Sequence, residues 1–105
     1  MPTFTFAGQS FRTDEDGFLQ ESARWDRALA QALAQADGTG ALTDEHWRVI
    51  DYLREYWKEY DTAPMVRRLV KATGIPLQRI YELFPAGPAQ GACRIAGLPR
   101  PTGCV

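Results

Sequence analysis

The chain is 105 residues long, 45% hydrophobic and 24% charged, with a formal net charge of −1. Those figures fit one globular domain with a modest core and exclude wholesale disorder. No apolar run approaches the roughly 18 residues of a membrane helix. Residues 1–17 lack a basic n-region and carry Asp14, Glu15 and Asp16, so neither a membrane span nor a secretory leader is expected, and the cytoplasm is the expected compartment.

The small net charge hides an asymmetry. Residues 1–61 carry six Lys/Arg and twelve Asp/Glu, whereas residues 62–105 carry six Lys/Arg and one acid, Glu82. The second half therefore offers a cationic surface to something anionic. Ten of the twelve cations are Arg, the better match to planar oxyanions.

Thr3 to Arg12 reads as a hairpin with Gly8-Gln9 at its turn, because Phe4 and Phe6 alternate with threonine. Thr13 to Gly17 is a polar turn, after which Phe18 and Leu19 dock the chain. A first helix is predicted over Ser22–Ala36, with Trp25, Ala28, Leu29, Ala32, Leu33 and Ala36 at the spacing of a buried stripe. A second helix begins after Thr43 as N-cap, with Asp44 and Glu45 favoured by its dipole. Its inner stripe is Trp47, Ile50, Leu53, Trp57 and Tyr60; Trp47, Leu53 and Trp57 are expected in the core.

Pro64 is placed in the first turn of a third helix closed by Gly74. Met65, Val66, Leu69 and Val70 would face in, and Arg67, Arg68 and Lys71 out. Pro76 or Leu77 opens a short fourth helix with Ile80, Tyr81, Leu83 and Phe84 apolar. Composition then changes: residues 85–105 hold four of the seven prolines and four of the nine glycines. A short helix around Ala89–Ile95 and then an extended C-terminal arm are predicted. The fold class is thus mainly α: a small orthogonal helical bundle with a helix-turn-helix-like pair, an N-terminal β-hairpin and a flexible C-terminal arm. One domain divides into hairpin (1–18), helical body (22–84) and C-terminal helix with cysteine arm (85–105).

Ordinary enzyme chemistry finds little support. His46 sits among acids in a helix first turn, where a solvated or capping role suffices. Two cysteines and one histidine cannot complete a four-ligand zinc site, and no Gly-rich phosphate loop is present; neither metal nor cofactor is expected. The corner around Gly74-Ile75-Pro76, with Arg67, Arg68, Lys71 and Arg79, admits a helix-turn-helix DNA reader as a rival function.

The arm holds Cys93 and Cys104. Their eleven-residue separation spans about 36 Å when extended, at about 3.3 Å per residue, whereas a disulfide needs Cα atoms within about 4.4–6.8 Å. They can join only if the arm folds back. Closing that loop costs about 3 kcal/mol of chain entropy, so open and closed arms are both accessible. Arg94 and Arg100 suit an anionic substrate or a thiolate, while the C-terminal carboxylate beside Cys104 opposes them.

The stretch Tyr81-Glu-Leu-Phe-Pro-Ala-Gly-Pro-Ala-Gln-Gly-Ala-Cys-Arg-Ile-Ala-Gly-Leu-Pro-Arg-Pro-Thr-Gly-Cys-Val closely resembles the DsrC/TusE family of dissimilatory sulfur metabolism. Thr43-Asp-Glu-His-Trp47 and Ala63-Pro-Met-Val-Arg67 are similar to it too. With both Cys93 and Cys104 the chain looks like the DsrC branch; the TusE branch, which serves tRNA thiolation, typically keeps only the penultimate cysteine. Between the third helix and Tyr81 the chain is shorter than the Lys/Gly-rich insertion many relatives carry. The resemblance implies a sulfur carrier, a sulfurtransferase in the relay sense rather than a stand-alone catalyst. It implies that Cys104 holds sulfur as a persulfide and that Cys93 joins it in a disulfide or trisulfide. Implied partners are dissimilatory sulfite reductase, a DsrEFH-type sulfurtransferase and a membrane-bound thiol–disulfide oxidoreductase complex, with a monomer expected when free. Arg67, Arg68, Lys71, Arg94 and Arg100 are the candidate partner or anion contacts.

Overall fold

A computed structural model describes residues 2–99. Strands β1 (Thr3–Phe6) and β2 (Gln9–Arg12) pair antiparallel, with Phe4 opposite Phe11 and Phe6 opposite Gln9. The turn is Ala7-Gly8, one residue earlier than expected. Both residues have positive φ, 54° and 76°, as the type I′ turn of a two-residue hairpin requires. Beyond it, the Asp14 carboxylate accepts the N–H groups of Asp16 and Phe18, each at 2.9 Å. That knot turns Phe18 and Leu19 into the core.

The predicted first helix is two elements. Ser22–Arg24 is a single 3-10 turn, the backbone becomes extended at Trp25 and Asp26, and α1 runs Arg27–Ala36. The Asp26 carboxylate caps α1 by accepting the Leu29 N–H at 2.7 Å, which outcompetes continuation of the earlier turn. The buried face is accordingly Leu29, Ala30, Leu33 and Ala34. Trp25 is not on α1, and Ala28 and Ala36 face out.

Helix α2 (Asp44–Tyr60) buries His46, Val49, Ile50 and Leu53. His46 is a cap, as one reading of the sequence had it, but it is also buried. Its Nδ1 accepts the Thr43 N–H at 3.0 Å, and its Nε2–H donates to the Leu83 carbonyl at 2.8 Å. That pair of partners fixes the neutral Nε2–H tautomer and ties the start of α2 to the far end of the chain's helical body. Of the expected core trio only Leu53 is fully buried; Trp47 and Trp57 pack partly buried against the core. Tyr60 is 57% exposed.

Helix α3 (Val66–Thr73) starts later than expected, with Met65 as N-cap. Pro64 precedes the helix and is buried, whereas Met65 is exposed rather than core. Gly74 closes α3 in the left-handed conformation at φ 72°, and α4 (Leu77–Leu83) follows, burying Ile80 and Leu83. Tyr81 is exposed. The expected final helix exists, but it is a π-helix over Pro88–Cys93. Its Gly91 lies against α4's end, where a Cβ would meet the Phe84 Cβ at 3.1 Å. Ile95, Ala96 and Leu98 then join the same core as Phe18, Leu29, Ile50, Leu53, Leu69, Ile80 and Phe84. The fold is mainly helical with one N-terminal hairpin, and no described helix is long and apolar enough to cross a membrane.

Candidate functional site

Cys93 is the last residue of the π-helix and is fully buried. It is a free thiol among the described residues. Burial pushes its pKa up to about 12, which leaves about one molecule in 10⁵ as thiolate at neutral pH. In this conformation Cys93 is therefore no nucleophile.

The chain stays helical through Arg94 and Ile95 and then stops. Gly97 is left-handed at φ 75°, its N–H donates to the Arg94 carbonyl at 3.1 Å, and the Leu98 N–H donates back to the Cys93 carbonyl at 3.2 Å. This is the Schellman pattern, with Gly97 at the C′ position. Two side chains distant in sequence hold it. The Trp25 indole N–H donates to the Ile95 carbonyl at 2.8 Å. Arg54 on α2 donates to the Ala96 carbonyl at 2.7 Å while its guanidinium lies 4.0 Å over the Trp25 ring. Burial disfavours the Arg54 charge, and the carbonyl and the ring face compensate. Gly97 touches the same indole: a Cβ there would lie 2.2 Å from Trp25 Cδ1. The root of the arm is thus a clamp of Trp25, Arg54 and Gly97 laid over the end of the helix that carries Cys93.

The other candidate residues separate into three groups. Cys104 and Arg100 lie outside the described residues. Arg94 is already matched: its guanidinium pairs with Asp37 at 3.1 Å, mostly buried, and donates to the Asp16 carbonyl at 3.3 Å. Arg67, Arg68 and Lys71 come together with Tyr52, Met65 and Ala72 around an open groove of about 430 Å³ between α2 and α3. Among the described residues these three cations form no ion pair. Tyr52, Tyr56 and Tyr60 form a ladder along α2 with ring centroids 6.0 and 4.5 Å apart, and the Arg68 guanidinium lies 5.8 Å from the Tyr56 ring.

Arg79, the cation a recognition helix on DNA would need, is held by Glu45 at 2.6 Å and Glu82 at 3.3 Å. It braces α4 against α2 and is not an open cation on that face.

Sequence reasoning missed Trp25 and Arg54 as site residues. Trp25 fitted a helical stripe, and nothing local signals that it reaches a carbonyl seventy positions later. Gly97 did carry a signal, as a glycine at the end of an apolar helical run.

The architecture defines a class: a small helical protein with an N-terminal hairpin that buries one cysteine at the end of its last helix, ahead of a glycine- and proline-containing C-terminal sequence. The family described as DsrC like protein matches residues 5–105, and the chain belongs to that family. It is 46% identical over 105 residues to the dissimilatory-type sulfite reductase subunit gamma of Nitratidesulfovibrio vulgaris, covering 100% of both chains. It is 41% identical over 107 residues to the sulfurtransferase TusE of Pectobacterium atrosepticum, covering 95% of this chain and 97% of the relative. Among solved structures, the oxidized gamma subunit of dissimilatory sulfite reductase (DsrC) from Archaeoglobus fulgidus superposes with a TM-score of 0.87 at 49% identity, covering 99% of this chain and 100% of that one.

Proposed function

We propose that the chain is a cytoplasmic sulfur carrier of the DsrC type, serving dissimilatory sulfite reductase as a protein co-substrate. Cys104 accepts a sulfane sulfur and holds it as a persulfide. Cys93 then loses its proton and attacks the Cys104 Sγ; the Cys93–Cys104 disulfide forms, the S–S bond of the persulfide breaks and HS⁻ leaves. The disulfide is reduced back to two thiols by an external dithiol, the role of a thiol–disulfide oxidoreductase partner. A DsrEFH-type sulfurtransferase is the donor in the loading step.

The observation that carries this reading is the placement of Cys93. It is buried at the end of the π-helix, eleven residues before Cys104, so the second thiol stays protonated and silent until the first has been used. Possession of Cys93 also favours the DsrC branch over a relay serving tRNA thiolation. The groove of Arg67, Arg68 and Lys71, with Met65 and Tyr52 as apolar contacts, suits an acidic face of a partner protein.

Incubation with a persulfide donor followed by intact-mass measurement tests the relay. The chain should gain about 32 Da, one sulfur atom. Cys104→Ser should abolish that gain, and Cys93→Ser should load but form no internal disulfide. Loading of Cys104→Ser with failure of Cys93→Ser would reverse the assignment.

A further inference from the structure

Trp25 and Arg54 grip backbone carbonyls and not side chains. Their targets, Ile95 and Ala96, lie two and three residues after Cys93. Both grips act on the turn that returns the Leu98 N–H to the Cys93 carbonyl and places the Leu98 side chain in the same buried cluster as Cys93. The two holders are themselves coupled, since Arg54 stacks on the Trp25 ring. Loss of either one frees a carbonyl and unsupports the other.

We propose that Trp25 and Arg54 are positioning residues that set when Cys93 becomes reachable, by pinning the Ile95–Leu98 turn as a cover over the thiol. Cys93 reacts only from the opened turn, and the clamp sets how often the turn opens. The consequence for function rests on the sulfur-relay reading: the clamp makes the second thiol wait. The sealing itself does not depend on that reading, because it concerns a thiol and three contacts within the described fold.

The test uses the full chain carrying Cys104→Ser, so that Cys93 is the sole thiol, and follows maleimide addition at pH 8 by intact mass. Trp25→Phe keeps a ring against Gly97 but removes the N–H; Arg54→Gln removes the stacked charge. Each should speed labelling of Cys93 at least tenfold, with a rate nearly independent of urea below the unfolding transition, the signature of a local opening. Leu29→Ala, a core variant that removes none of the clamp's hydrogen bonds or its stacking contact, supplies the comparison for a merely structural role. It should speed labelling only in proportion to its loss of global stability, with the urea dependence of full unfolding. The proposal is overturned if the clamp variants label no faster than their measured stability loss accounts for, or if the parent chain labels as fast as an exposed thiol. Neither result depends on whether sulfur loads on Cys104, so failure here and failure of the relay are read separately.

Discussion

Arginine does opposite work in two regions of this molecule. At the root of the arm Arg54 and Arg94 are partly buried and fully matched, one by the Ala96 carbonyl and the Trp25 face, the other by Asp37. In the groove between α2 and α3, Arg67 and Arg68 stand exposed beside Lys71 with no ion pair among the described residues. Desolvated cations with fixed acceptors specify a conformation; solvated cations without acceptors are available to a partner. The difference predicts that changes at the root alter the fold and the behaviour of Cys93, while changes in the groove alter association alone.

Gly97→Ala should break the first half of that contrast most strongly. The added methyl collides with Trp25 at 2.2 Å, and the backbone is left-handed at φ 75°. Strain of about 1–2 kcal/mol from the backbone and about 1–3 kcal/mol from overpacking combine, and urea unfolding should report a loss of about 2–5 kcal/mol. Gly38→Ala is the control: its φ of 85° is also positive but nothing lies within 4 Å of the new methyl, so only the backbone part of about 1–2 kcal/mol remains. Equal losses at both positions would show that the indole yields and that no clamp exists there.

Next in size is His46→Ala. It removes the acceptor for the Thr43 N–H and leaves the buried Leu83 carbonyl without a donor, at a cost of about 2 kcal/mol. Because His46 also meets the Phe84 ring edge-on at 5.0 Å and Phe84 supports Gly91 of the π-helix, the loss should propagate toward Cys93. A thermal midpoint within a degree of the parent would remove His46 from this support.

How much of this was legible in the sequence follows from the range of the interactions. Helices α2 to α4 were readable because apolar spacing, Thr43, Gly74 and Leu77 act within one or two turns. Even so, the α2 stripe was only partly right: Ile50 and Leu53 are buried as expected, but His46 and Val49 complete the buried face in place of Trp47, Trp57 and Tyr60, because His46 at the N3 position takes a buried partner from α4, which no periodicity within α2 reveals. The stop before α1 was hidden because Ser22–Arg24 and Arg27–Ala36 are both helix-compatible, and only Asp26's choice of Leu29 as partner separates them. A π-helix differs from an α-helix by one residue in hydrogen-bond register, so composition could show a helix near Ala89–Ile95 and not its kind. The cysteine arm stood out by its glycines and prolines, but the clamp at its root joins residues 25, 54 and 97 and becomes visible only in three dimensions.

The buried thiol adds a pH signature that an open surface lacks. The folded pKa of about 12 lies above the ordinary value of 9.0, so the folded state holds the proton more tightly. The resulting stability is fully present below pH 9 and is lost as pH rises from about 9 toward 12. Between pH 9 and 10.5 the Cys104→Ser chain should lose up to about 1.4 kcal/mol per pH unit more than the same chain carrying Cys93→Ala, in which the thiol is gone. Parallel stability curves for the two would mean that the Cys93 site is open to water.

The smallest effect on stability, and the sharpest on function, belongs to Arg68→Glu. Arg68 is exposed, has no ion pair among the described residues and meets two tyrosines of α2, the Tyr56 ring at 5.8 Å and the side chain of Tyr52, so unfolding free energy should change by less than about 0.5 kcal/mol. The reversal nevertheless places an acid between Arg67 and Lys71, cancelling most of the local positive field that steers an acidic partner. Association with dissimilatory sulfite reductase, followed by stopped-flow at low ionic strength, should slow about tenfold, and the remaining rate should fall less steeply with added salt. Dissociation should change little, because a rim charge acts on encounter more than on the docked contact. An unchanged on-rate with an intact fold would detach the groove from partner recognition and leave its cations as a solvated helix face.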